Sequence, residues 1–143
     1  MLALVFTANA ADVTGRIVKV LPHYLDKAGR ISLSPSLFER DAYQAELRQD
    51  PSKRSGIRFD IQWKVRNPDR VPLTLRTELV TTRYTKISPL VIESPVEARS
   101  GRSRWTSHRL AGDAFREAGE LIAWRVTLWA ANTLIAEQKS FLW

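Results

Sequence analysis

A chain of 143 residues, 44% hydrophobic and 26% charged, fits one globular domain and is not the composition of a disordered one. Lys and Arg (22) outnumber Asp and Glu (15), and a net charge of +7 favours acidic partners: anionic glycan, lipid headgroups or nucleic acid. There is no cysteine, which excludes disulfides, thiol nucleophiles and thiolate metal sites, and no stretch nears the roughly 20 apolar residues of a membrane-spanning helix.

The first eleven residues, MLALVFTANAA, carry no charge. Ala8-Asn9-Ala10 matches the small-x-small pattern of a signal peptidase site, because that pocket admits only short side chains. A basic n-region is missing and the apolar stretch is short. Residues 1–10 therefore read as the clipped remnant of a secretory signal peptide, and residues 11–143 as a single domain. The alternative is that LALVF forms a first strand. A signal peptide implies export, to the periplasm or beyond the cell.

In chain order, residues 17–21 form a short strand. Residues 25–31 look like a hairpin turn, with Gly29 in the left-handed position that other side chains resist. Ser34-Pro35 signals a helix start, and a helix near 35–48 follows, with Phe38, Ala42 and Ala45 on one stripe. Asp50-Pro51 ends it. Residues 57–65, IRFDIQWKV, alternate apolar and polar without a fault, which puts one face of a strand in water and one in a core. Asn67-Pro68-Asp69 is a turn, and residues 73–79 alternate in the same way, so the two are expected to pair as neighbours. Residues 90–92 and 103–110 are further strands, and 112–119 a helical turn or loop. Ile122, Trp124, Val126 and Leu128 share one face, with Arg125 and Thr127 turned away from it. A turn at 130–133 leads to a last strand over 134–143.

About seven short strands with one inserted helix predict a mainly β fold, an antiparallel β-sandwich; a closed barrel is the architectural alternative. The strand sequence, with Trp63 in a central alternating strand, resembles an immunoglobulin or fibronectin type III sandwich over residues 13–143. The helix departs from that pattern, and the cysteine pair of immunoglobulin domains is absent. RFDIQWKV and the C-terminal AWRVTLW and EQKSFLW also resemble small exported bacterial proteins of unassigned function. That resemblance implies no catalytic residues, and a fold does not specify a function.

Residues that carry chemistry are sparse. His23 and His108 lie far apart, without HxH, HExxH or a nearby carboxylate cluster, and read as surface or half-buried side chains rather than metal ligands. GxSxG, Walker A and GxGxxG motifs are absent, so neither an active site nor a cofactor is expected. Asp60, inside the best strand, reads as a solvated face residue.

What stands out is basic and aromatic. Residues 99–109 hold four arginines, no acid and Trp105. Arg102, Arg104 and Arg109 offer planar donors beside the stacking surface of Trp105, and Trp129, opposite in phase to Trp124, is a second candidate surface aromatic. The other reading of Trp105 folds it into the core, where strand tryptophans usually sit. Trp63 and Trp124 are assigned to the core; Trp143 either closes it or anchors a partner. Two functions follow. One is a non-catalytic exported module that binds or scaffolds a protein partner in the cell envelope. The other is a carbohydrate- or polyanion-binding module for an acidic glycan, using Arg102, Arg104, Trp105, Arg109 and Trp129. Export disfavours nucleic acid. Oligomeric state is not readable from one sequence.

Overall fold

A computed structural model describes residues 12–143. The expected signal-peptide remnant and the alternative LALVF strand both fall on residues outside the described ones. Those described form seven strands and two helices: β1 (Thr14–Asp26), α1 (Leu37–Gln49), a 3-10 turn (Pro51–Lys53), β2 (Arg54–Arg66), β3 (Leu73–Thr81), β4 (Leu90–Val96), β5 (Arg104–Ala111), α2 (Gly112–Ala118), β6 (Leu121–Ala130) and β7 (Thr133–Lys139). They build two antiparallel sheets, one of order β1-β2-β5 and one of order β4-β3-β6-β7. The predicted β-sandwich is the observed architecture.

The core follows from the two-residue period. Ile57, Phe59, Ile61, Trp63 and Val65 of β2 point inward and are buried, as are Leu73, Leu75 and Leu79 of β3 and Val126 and Leu128 of β6. Phe59 meets Trp124 edge to face across the gap between the sheets, at 6.2 Å between centroids. Trp63 donates its indole N–H to Thr106 Oγ1 at 2.9 Å, so a buried polar atom is satisfied and β5 is held against β2.

Several expectations change. The alternating strands 57–65 and 73–79 are not neighbours: β2 pairs with β1 and β5, whereas β3 pairs with β4 and β6. The link between them holds Pro68 and Pro72 and two left-handed residues, Asn67 (φ 56°) and Arg70 (φ 61°), and it carries the chain from one sheet to the other instead of closing a tight hairpin. The turn at 25–31 exists, closed by Gly29 N–H to Asp26 O, but α1 follows it and the partner of β1 is β2.

The helix begins two residues later than its Ser34-Pro35 signal, with Ser36 as the cap whose hydroxyl accepts from Glu39 N–H. Its covered face is Gln44 and Leu47, while Phe38 is 82% exposed and Ala42 is exposed. The reason is that α1 covers a strand edge rather than an apolar sheet face. The Gln44 amide accepts from Tyr24 N–H (2.8 Å) and donates to the carbonyls of Tyr24 (2.9 Å) and Ile31 (2.8 Å), so one side chain replaces a ladder partner at the edge of β1.

In β6, a register shift at Val80/Thr81 breaks the alternation, which leaves Ile122 47% exposed and Ala123 buried. Thr127 does turn from the core, yet it is fully buried, because Trp129 Nε1 lies on its hydroxyl. The last strand stops at Lys139, and Trp143 N–H closes a turn on Ser140 O.

Antiparallel pairing sorts the connections to two ends. The two helices and the β3–β4 loop gather at one end; the links 67–72, 97–103 and 131–132 gather at the other.

Candidate binding face

β5 starts at Arg104, so alternation directs Trp105, Ser107 and Arg109 to the outer face of its sheet and Thr106, His108 and Leu110 inward. Trp105 is 55% exposed. Register sets its surroundings: Trp105 stands opposite Gln62, and Gln62 stands opposite Lys19. The next row outward along β2 is Lys64 opposite Arg16. Gly101 N–H to Val65 O (2.8 Å) and Asn67 N–H to Ser100 Oγ (3.1 Å) tie the 99–102 loop to the end of β2, which brings Arg99 and Arg102 to the rim that holds Arg66. Arg104 opposes Trp63 and so leaves the strand on the other side from Trp105, but at the open end of the sheet, where it is exposed.

Among the described residues, Arg16, Lys19, Lys64, Arg66, Arg102 and Arg104 form no ion pair. The other sheet's outer face is built oppositely. There Arg76 pairs with Glu93 at 2.9 Å, and Arg125 lies between Glu78 (3.6 Å) and Glu137 (3.3 Å). One face neutralises itself; the other, with its rim, presents positive charge around an indole.

The five sequence candidates therefore divide. Arg102, Arg104 and Trp105 gather at one end of the β1-β2-β5 sheet. Arg109 shares the face of Trp105 but stands about 13 Å along the strand, since each residue advances about 3.3 Å. Between them Asp60 accepts from Ser107 Oγ (2.5 Å) and from Arg58 (3.0 and 3.2 Å), so the face is not uniformly basic and Asp60 is half-buried rather than free in solvent. Trp129 lies on the opposite sheet, half-buried with the Arg76 guanidinium 5.3 Å above its ring, and does not join Trp105. Lys19, Gln62 and Lys64 were missed. Their signal was in plain view, because Gln62 and Lys64 are the wet positions of the best alternating strand.

His108 corrects a sequence expectation. It is buried between the sheets, with Nδ1 2.8 Å from Thr77 Oγ1 and Nε2 2.9 Å from Ser94 Oγ. Burial lowers its pKa below the ordinary 6.5, and the two hydroxyls, which can donate or accept, suit a neutral ring. His23 is half-buried; burial and then the Arg40 guanidinium lower its pKa. The two imidazoles do not converge. Among the described residues no three of His, Asp and Glu are placed to share a metal ion.

Comparison with known proteins bears on the fold alone. No family model matches, and no curated protein matches in sequence. A solved structure from Akkermansia muciniphila is similar, with a TM-score of 0.55 and 16% identity over 94% of this chain and 74% of that one. The likeness is one of β-rich architecture.

Proposed function

We propose that this chain is a non-catalytic binding module that takes an acidic polysaccharide on the outer face of β1-β2-β5 and its rim. The observation that carries the reading is the exposed Trp105 among unpaired cations. An indole face stacks on the apolar face of a sugar ring, while Lys19, Lys64, Arg102 and Arg104 pair with uronate or sulfate groups. The division into three and four strands supports an immunoglobulin- or fibronectin III-like parentage, and the residues before Ala11 support an exported protein of the envelope. Heparin titrated by calorimetry is the test. Trp105→Ala should weaken binding about three- to tenfold, and Arg102→Ala with Arg104→Ala should flatten its salt dependence. Equal affinity for uncharged dextran, or no change in either variant, would sink the reading.

A second reading, contact with a protein partner in the envelope, has its own observation. Leu33, Leu37 and Phe38 are 63%, 66% and 82% exposed around the start of α1, an apolar surface that the fold itself does not use. Crosslinking in the native envelope should yield a defined complex that Leu37→Ser with Phe38→Ser abolishes and Trp105→Ala leaves intact. A complex insensitive to the α1 pair counts against it.

A further inference from the structure

The helical end of the sandwich holds a different feature. Tyr24, near the end of β1, and Phe115, on α2, meet edge to face with centroids 6.5 Å apart. They line a cleft of about 490 Å³ bordered by the 3-10 turn and the β3–β4 loop. Gly119, at φ 80°, lets the chain turn into β6 so close to Thr82 that any Cβ would collide with the Thr82 hydroxyl. A side chain at 119 would thus press on the β3–β4 loop that borders the cleft.

Its charges are unevenly matched. Arg54 lies 4.1 Å over the Tyr24 ring and binds the Glu120 carboxylate at 3.0 Å, so the carboxylate lining the cleft already has its cation. Lys27 and Arg83, which also line it, are exposed and have no ion pair among the described residues. Arg116, the remaining lining cation, pairs with Asp113. A cleft with one aromatic pair and two unpaired positive charges in its lining suits a planar apolar body bearing one negative group.

We propose that this cleft binds a small aromatic carboxylate, its ring against Tyr24 and Phe115 and its carboxylate between Lys27 and Arg83. The site lies at the end of the fold away from Arg102 and Arg104, so the two ligands are independent. The experiment titrates the isotope-labelled chain with naphthoate in proton–nitrogen correlation spectra, with naphthalenemethanol as the uncharged counterpart. The expected result is saturable shifts at the amides of Tyr24, Thr82, Gly119 and Leu121. Affinity should fall about fivefold in Lys27→Ala with Arg83→Ala, and stay unchanged in Trp105→Ala. Both cleft substitutions are at exposed side chains, and the variant's own spectrum checks that it is folded. Absence of saturable shifts, shifts centred elsewhere, equal binding of the alcohol, or full affinity in the double variant would each overturn the proposal.

Discussion

Arg54 joins four parts of the molecule with one side chain. Its Nε donates to Leu47 O and its Nη2 to Arg48 O, both at 2.5 Å, so it caps the last turn of α1. Its Nη1 holds Glu120 just before β6, and its plane lies on Tyr24 of β1. Hydrogen bonds from a charged donor are worth about 1.5–3 kcal/mol each, whereas the Glu120 arm, 57% exposed, adds at most about 1. Arg54→Ala should therefore cost about 3–5 kcal/mol, seen as a Tm lower by about 10–17 °C. Arg54→Lys should recover only part, because one ammonium cannot span both carbonyls and the carboxylate.

His108 makes a second residue-scale prediction. The folded state holds it neutral and the unfolded chain protonates it near 6.5, so the unfolded state binds more protons below that pH. Stability is fully present above pH 6.5 and declines as pH falls below it, with a slope of up to about 1.4 kcal/mol per pH unit. Urea midpoints between pH 7.5 and 5 should fall in the wild type and fall less in His108→Asn; what remains belongs to His23, shifted in the same direction. Parallel curves for the two proteins would refute the assignment. Asp26 acts lower down. Burial raises its pKa, but the Tyr43 hydroxyl, the N–H groups of Arg30 and Ala28 and the Arg30 guanidinium pull it net below 3.8, so its share of stability is lost only as pH falls beneath that value.

At the scale of elements, two glycines test which strand contacts are rigid. A Cβ on Gly56 would sit 2.5 Å from the Leu110 carbonyl oxygen and 3.0 Å from Ala111 Cα, both backbone atoms of β5. Gly56→Ala should cost about 1–3 kcal/mol, and should weaken heparin binding too, because β5 carries Trp105. A Cβ on Gly15 meets side-chain atoms only, the Ile135 tip at 2.8 Å and the buried Leu128 Cδ2 at 3.2 Å, so Gly15→Ala should cost less than Gly56→Ala, about 1 kcal/mol or under. The orientation of α1 is open to the same treatment. Leu47→Ala removes a fully buried side chain and should cost about 2–5 kcal/mol, while Phe38→Ser should change stability by less than about 0.5. Reversed magnitudes would restore the stripe expected from the sequence.

For the whole molecule, what matters is how charge is distributed rather than its total. Cations on the β4-β3-β6-β7 face alternate with Glu78, Glu93 and Glu137, so the excess of +7 falls largely to the opposite face and the rim. Trp129→Ala should then leave heparin affinity unchanged, and raising salt from about 50 to 300 mM should weaken it strongly, since exposed charges are screened beyond a few ångströms at such ionic strength. Loss of binding in Trp129→Ala comparable to Trp105→Ala would place the site on the wrong sheet.

How much of this was legible follows from where each property resides. Alternation is local, so residues 57–65 declared a half-wet strand, Gly29 a turn, and the chain as a whole a stack of antiparallel sheets. The buried side of β2 and the wet side carrying Gln62 and Lys64 were both written in a nine-residue window. Pairing is not local. Nothing in residues 57–79 states that the link 67–72 crosses between sheets, or that β5 rather than β3 lies beside β2. Because of that, the separation of Trp129 from Trp105, the burial of His108 against Thr77 and Ser94, and the meeting of Tyr24 with Phe115 came only with the tertiary structure. Side-chain period is a property of the strand itself, whereas the neighbours of a side chain are chosen by how distant strands share one core.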